Sequence, residues 1–163
     1  MDIRAKYTQD VRIDEAAPNE WTAPPIRVLR RSDMKLGYVI LYVPDVEATV
    51  TFYESAFGLK RRFVAPGQYG ELETGATALG FASETLAESN GTRFRRSRPG
   101  DAESPAAEVA FVVDDPRAAF DQAVRAGAAP LKEATQKPWG QTVAYVRDLN
   151  GFIVELCTPV AAG

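Results

Sequence analysis

The sequence predicts an α+β protein made of two βαβββ halves. Three observations favour this fold. A strand, a helix and three further strands are predicted between residues 38 and 82, and the same order recurs about seventy residues later. Both predicted helices also begin and end at residues that commonly cap helices. Self-similarity of this kind indicates a duplicated structural unit.

The first half begins with a strand at residues 38–43, followed by Pro44 and Asp45. An apolar stripe with near-3.6 spacing then predicts a helix, and this stripe is formed by Val46, Val50, Tyr53 and Phe57. Gly58 stands where a helix C-cap favours glycine. Three strands are expected to follow, at residues 60–65, 69–74 and 77–82.

The second half repeats this order from a strand at residues 108–113. Asp115 and Pro116 are typical of an N-cap and first helical position, and the apolar stripe that follows ends near Gly127. Strands are expected at about residues 130–134, 141–147 and 152–158, the last two joined by the turn residues Asn150 and Gly151. The pair Tyr69-Gly70 also matches Trp139-Gly140, which favours a duplication.

Composition excludes several classes of function. The 163 residues contain 19 basic and 22 acidic side chains, so no excess of positive charge favours nucleic acid or an anionic membrane as partner. No histidine is present, which excludes histidine-dependent catalytic triads and histidine-rich metal sites. Cys157 is the single cysteine, and no signal-peptide core or membrane-length apolar run is evident. We therefore expect a cytoplasmic protein.

Two segments are expected to lie outside the halves. Residues 1–34 read as an N-terminal arm, either a partly ordered extension or an arm that contacts a second subunit through Trp21 and Ile26. The domain then spans residues 35–159, with halves at 35–83 and 107–159 and a linker at 84–106. The run Arg93 to Arg98 in this linker is either a solvated loop or a lid that recognises a phosphate or carboxylate.

Strand alternation separates two sheet faces. Val39, Leu41 and Val43 belong to a wholly apolar set that is expected to pack under the helices, as do Val109, Phe111 and Val113, and Phe152, Val154 and Leu156. The opposite face mixes aromatic, small and acidic residues, which is typical of a cavity wall. When the halves are superimposed, Tyr38 falls opposite Glu108 and Gly80 falls opposite Glu155 on this mixed face.

Six residues are candidates for ligand binding: Tyr38, Tyr42, Tyr69, Glu108, Trp139 and Glu155. The aromatic residues either stack against a planar ligand or serve core packing. Glu155 is a candidate catalytic base, although it can equally satisfy backbone N–H groups, and a charge at Glu108 needs a partner on an otherwise apolar strand. Cys157 also lies on the mixed face, where it is expected to be a small buried side chain.

The chain resembles the vicinal oxygen chelate superfamily, which includes glyoxalase I, extradiol dioxygenases, fosfomycin-resistance enzymes and bleomycin-binding proteins. The resemblance covers residues 36–158 and rests on Tyr38 to Asp45, the pair Phe52-Tyr53, Phe57 to Leu59, and the ending Val146 to Leu156. It implies paired modules that form an incomplete barrel-like sheet around a cleft, commonly in a homodimer. In metal-dependent members, four strand positions supply His, Gln or Glu ligands. Here those positions hold Tyr38, Gly80, Glu108 and Glu155.

The resemblance implies a protein that binds or sequesters a small, partly aromatic molecule, with the metal quartet not retained. No cofactor is therefore predicted, although Glu108 and Glu155 are weak candidates for a divalent metal site. The alternative is a lyase or transferase of the glyoxalase I or fosfomycin-resistance type that uses these two glutamates. Extradiol dioxygenase chemistry is not expected, because both histidine positions of its 2-His-1-carboxylate pattern are filled by other residues.

Overall fold

The computed structural model describes residues 35–160, so the expected N-terminal arm, with Trp21 and Ile26, lies outside the described residues. The elements follow in the order β1 (Tyr38–Val43), α1 (Val46–Phe57), β2 (Lys60–Ala65), β3 (Tyr69–Glu73), β4 (Ala78–Ser83), α2 (Glu84–Ser89), β5 (Glu108–Val112), α3 (Pro116–Arg125), β6 (Ala129–Gln136), β7 (Thr142–Arg147) and β8 (Ile153–Cys157). None of the helices in this part of the chain is long and apolar enough to cross a membrane.

The strands form two four-stranded mixed sheets with the orders β1-β4-β3-β2 and β5-β8-β7-β6. In each sheet the first strand is parallel to the last strand of its half, and the other pairs are antiparallel. We call the half with β1–β4 module 1 and the half with β5–β8 module 2. The identical strand order confirms the predicted α+β fold of two βαβββ modules.

Both long helices begin at the residues that the sequence predicts. The Asp45 carboxylate accepts a hydrogen bond of 2.9 Å from the Ala48 N–H, and the Asp115 carboxylate accepts two bonds of 3.0 Å at the start of α3. These bonds satisfy backbone donors that the first turn of a helix leaves free. Gly58 follows α1 as its C-cap, so the expected bounds of this helix are confirmed.

The helices cover one face of the two sheets, and a single core of buried side chains extends through both modules. Val43 and Val154 are fully buried there, as the alternation predicts. The expectation is wrong for Val39, which is 41% exposed. Within the described residues β1 and β5 each pair with one neighbour only, so side chains on these edge strands have less cover.

Buried hydrogen bonds join the modules at the turn between β7 and β8. The Tyr53 hydroxyl on α1 donates to Asp148 at 2.9 Å, and the Asn150 amide donates to the Thr49 hydroxyl at 3.0 Å. Burial raises the pKa of Asp148, and burial together with the Asp148 charge raises the pKa of Tyr53. Because buried polar groups are costly without partners, these bonds fix the relative placement of the modules.

The linker contains one short helix, α2, which the sequence did not predict. Ser83 caps it by accepting a bond from the Leu86 N–H at 3.1 Å. The arginine run then folds back onto α2, where Arg98 donates to Glu84 at 2.6 and 2.8 Å. On module 2, the Arg147 guanidinium donates to the Asp101 carbonyl at 2.9 Å. The Arg98 bonds thus hold the linker to its own helix α2, and the Arg147 bond attaches it to module 2.

Candidate functional site

The sheet face opposite the helices, which we call the cleft face, has a floor of small side chains in module 1. This floor runs along β4 and consists of Ala78, Gly80 and Ala82, which are buried. Tyr38 and Tyr42 stand beside it on β1, and Tyr69 stands on the other side, on β3. The three predicted tyrosines of module 1 therefore lie on one face, with Tyr38 55% exposed.

The Tyr69 phenol lies directly over Gly80. A Cβ atom placed on Gly80 would come within 2.6 Å of the Tyr69 hydroxyl oxygen, a distance that real Cβ atoms do not adopt. Glycine is therefore the residue that permits this close approach. Burial and the neighbouring Glu71 carboxylate raise the pKa of Tyr69 to about 12, so its hydroxyl stays protonated at neutral pH.

Glu71 belongs to the same face but was not among the sequence candidates. Glu71 is 9% exposed, and one of its carboxylate oxygens lies 3.4 Å from the Arg62 guanidinium. Arg62 also contacts Glu73 at 2.6 Å, so the charge of Glu71 is compensated by an arginine that it shares. The alternation of Tyr69, Glu71 and Glu73 along β3 was the signal that could have identified it.

Module 2 carries the two predicted glutamates. Glu155 on β8 is paired with Ala110, and Glu108 lies two residues before Ala110 on β5, so both carboxylates belong to the cleft face. Glu108 is exposed and Glu155 is half-buried. The strand register thus confirms that Glu108 corresponds to Tyr38, and Glu155 to Gly80, in the other module.

Tyr145, which sequence reasoning missed, is the neighbour of Glu155 across β7 and β8. Hydrogen bonding to Glu155 and burial raise the pKa of the Tyr145 phenol. Cys157 is buried, as expected, and burial with the Glu155 charge raises its pKa to about 11. A thiol with this pKa is protonated at neutral pH and is a poor nucleophile.

Trp139 lies in the turn before β7 rather than on a strand. Its indole N–H donates to Gln141 at 3.0 Å, and the side chain is 58% exposed. The Lys137 ammonium lies 5.9 Å from the Trp139 ring centroid and 5.6 Å from that of Tyr145. The match of Tyr69-Gly70 to Trp139-Gly140 is wrong as a structural equivalence, because the counterpart of Tyr69 in module 2 is Val143.

β1 and β5 belong to different sheets, are not paired with each other, and border a common gap between the modules. A small cavity of about 60 Å³ separates them, with Val39, Leu41, Glu108 and Val109 among its lining residues. A larger cavity of about 540 Å³ lies along β5. Glu108 lines it, but none of the other predicted ligand-binding residues does. Glu108 therefore lines both cavities at the junction of the modules, together with residues of the apolar set such as Val39 and Val109.

The residues at the four metal-ligand positions do not fit a metal ion. Gly80 supplies no donor, and the space above it is taken by the Tyr69 phenol. Among residues 35–160, no three side chains of His, Cys, Asp or Glu are grouped so that they could hold a metal. Glu108 and Glu155 alone would leave most of a divalent ion's coordination positions to water.

Comparison with known proteins identifies the family of this fold. The family model of the Glyoxalase/Bleomycin resistance protein/Dioxygenase superfamily matches residues 35–156. A search of curated proteins gave no significant match. Among solved structures, the chain is similar to a glyoxalase-related enzyme from Fulvimarina pelagi, with 23% identity, a TM-score of 0.65, and coverage of 77% of this chain and 88% of that one.

Two further structures show the same fold. A glyoxalase/bleomycin resistance protein/dioxygenase family enzyme from Burkholderia phytofirmans is 21% identical, with a TM-score of 0.61 and coverage of 78% of this chain and all (100%) of the other. TioX from Micromonospora is 22% identical, with a TM-score of 0.58 and coverage of 77% and 98%. With its two βαβββ modules and a family match over residues 35–156, the chain belongs to the glyoxalase/bleomycin resistance protein/dioxygenase superfamily.

Proposed function

We propose that this chain binds a small, partly aromatic molecule on its cleft face and thereby sequesters it. The observation that carries this proposal is the placement of the Tyr69 phenol over Gly80. A position that supplies a metal ligand in metal-dependent relatives is here part of an aromatic surface. Rings gain from offset or edge contacts with such a surface, which favours a planar ligand.

The partners of the carboxylates support the same proposal. Glu71 contacts Arg62 at 3.4 Å, and Glu155 lies directly opposite Tyr145 across β7 and β8. Carboxylates that are engaged by the protein's own side chains fix the orientation of those side chains and offer acceptors to ligand hydroxyl or amino groups. Glu108 is exposed at the module junction and is the carboxylate best placed to meet a ligand that spans both modules.

We also propose that the protein is a homodimer. Within the described residues, β1 and β5 are unpaired along one edge, and they expose apolar side chains such as Ile40 (45%) and Val112 (66%). Open edges of this kind are commonly covered by another chain. Sedimentation of a monomer alone at micromolar concentration, in analytical ultracentrifugation, would contradict the dimer.

The binding proposal is tested with two fluorescent three-ring probes of opposite charge, proflavine and 2-anthracenecarboxylate. We expect at least one of them to bind, and Tyr38→Ala to raise its dissociation constant about three- to tenfold through loss of one ring contact. Leu131→Ala, a similarly exposed apolar change on β6, is the control and should leave the dissociation constant unchanged. If neither probe binds the wild-type protein, the proposed binding function is wrong.

Elemental analysis of the purified protein distinguishes the proposed binding protein from a metal-dependent enzyme. We expect no stoichiometric metal. About one Ni, Zn, Mn or Fe per chain, lost in both Glu108→Gln and Glu155→Gln, would instead favour a metal-dependent lyase or transferase. Glu108→Gln should change probe affinity or the preference between the two probes, while the far-ultraviolet circular dichroism stays that of the wild type.

A further inference from the structure

We propose that Phe94, in the linker between the modules, contacts the ligand and determines which flat rings the cleft face accepts. The inference rests on the proposed binding function. In it, the Phe94 ring forms a wall of the binding site that neither sheet supplies. It assigns a recognition role to the linker, which otherwise only connects the two modules.

The contact between Phe94 and Tyr42 carries this inference. Their ring centroids are 4.8 Å apart and their planes are inclined by 56°. Tyr42 belongs to the cleft face and pairs with Ala82, one of the small residues of the floor. Phe94 therefore extends the aromatic side of the floor beyond the end of β1.

Phe94 also keeps surface that is free for a ligand. It is half-buried, and the cavity of about 520 Å³ that it borders is lined by other linker residues, Glu88, Gly91, Thr92, Arg93 and Arg96, so part of its ring is open on the linker side of the Tyr42 contact. A planar molecule that lies against Tyr42 meets Phe94 as its next surface. The two ring faces, of Tyr42 and Phe94, are tilted relative to each other. A planar ring can contact such a pair flat or edge-on, whereas a bulky aliphatic group fits it less well.

Glu84 holds the chain in place directly after Phe94. Its side chain, 12% exposed, accepts bonds from Arg98 at 2.6 and 2.8 Å and from Arg96 at 3.0 Å. The Arg96 guanidinium in turn lies 5.9 Å from the Phe94 ring centroid. Paired, charge-assisted bonds of this geometry restrict the backbone between their donors. Because Arg96 contacts both Glu84 and the Phe94 ring, Glu84 acts as a positioning residue for Phe94.

The closing experiment measures dissociation constants for proflavine and 2-anthracenecarboxylate by fluorescence anisotropy. Phe94→Ala and Phe94→Leu should both weaken the bound probe about three- to tenfold, because each removes the ring. Their melting temperatures should stay close to that of the wild type. If Phe94→Leu retains wild-type affinity while Phe94→Ala does not, the ring is not what is recognised and the specificity role is overturned.

Glu84→Gln is compared with Glu88→Gln, a matched change in the same arginine cluster. Within residues 35–160 the Glu88 carboxylate pairs only with Arg96, and the side chain is 48% exposed, so its replacement leaves the Arg98 bonds intact. We expect Glu84→Gln, but not Glu88→Gln, to weaken the probe and to speed trypsin cleavage after residues Arg93, Arg95 and Arg96. Equal behaviour of the two variants would overturn the role of Glu84.

The failures of the two proposals can be told apart. If a probe binds the wild type and Tyr38→Ala weakens it, but neither Phe94 variant does, the cleft face binds ligands without the linker and this inference alone is wrong. If neither probe binds the wild type, the proposed function fails and this inference fails with it.

Discussion

Replacing Gly151 by alanine should destabilise the protein strongly, because two separate costs meet at this residue. Gly151 has a φ of +91°, a conformation that residues with a Cβ atom rarely adopt. A Cβ atom there would also lie 2.5 Å from the Arg98 carbonyl oxygen and 2.8 Å from the Ser97 hydroxyl. The first atom belongs to the linker backbone, which cannot rotate away as a side chain can.

The magnitude follows from adding these costs. The backbone conformation costs about 1–2 kcal/mol for a residue other than glycine. Forcing extra volume into a packed contact costs a further ~1–3 kcal/mol. Gly151→Ala should therefore lower the free energy of unfolding by about 2–5 kcal/mol. Gly75 has a similar φ of +94°, but a Cβ atom placed on it would meet no atom within 4 Å, so Gly75→Ala should show only the first cost.

Urea unfolding of both variants, followed by circular dichroism, separates the two costs. With a urea m-value of about 2 kcal/mol/M, the midpoint of Gly151→Ala should fall roughly 1 M below that of Gly75→Ala. The m-values of the two variants must agree for this comparison to hold. Equal midpoints would show that the linker does not pack against Gly151. The inferred contact between the linker and module 2 at this turn would then be wrong.

Three other perturbations test the module junction and the cleft. Tyr53→Phe leaves the buried Asp148 carboxylate without one donor and should lower the free energy of unfolding by about 1.5–3 kcal/mol, whereas Tyr42→Phe, the control, should have little effect. Burial raises the pKa of Asp148 above its ordinary 3.8, so the folded state favours the protonated carboxyl. The free energy of unfolding of the wild type, relative to that of Asp148→Asn, should therefore be highest below pH 3.8 and should decline as pH rises through the folded-state pKa. If the difference between the two proteins does not change with pH, this prediction is wrong. Planar ligands should quench tryptophan fluorescence, and Trp139→Phe should abolish most of the quenching; if Trp21→Phe abolished it instead, binding would occur at the N-terminal segment.

Local sequence signals were sufficient for most elements. Asp45 and Asp115 predicted the starts of α1 and α3 because an N-cap is decided by the residue itself and its next three neighbours. The apolar stripe that includes Tyr53 predicted the buried side of α1 for the same reason. The helix α2 was missed because its six residues are too few to show a periodic stripe, although Ser83 caps it.

The sites were harder to predict, because alternation assigns a residue to a face but not to a partner. Glu155 was placed on the cleft face from its parity alone, whereas its neighbour Tyr145 depends on the register between β7 and β8. The parity of Glu71 with Tyr69 already placed it on this face, but its partner Arg62 could not be predicted, because Arg62 lies at a bulge that interrupts the β2 and β3 register. Phe94 lies in the linker, where no periodicity exists.

The duplication explains why the two modules can differ in chemistry while sharing a fold. The backbone pairing of Gly80 in module 1 matches that of Glu155 in module 2, so either residue satisfies the strand. What differs is the neighbour: in module 1 the Tyr69 phenol occupies the space that a side chain at Gly80 would need. A glutamate at Gly80 would therefore have to displace Tyr69 before it could reach a ligand. The missing donor and the added aromatic surface are consequences of one arrangement of side chains, and our proposal that module 1 contributes to ring recognition rests on that arrangement.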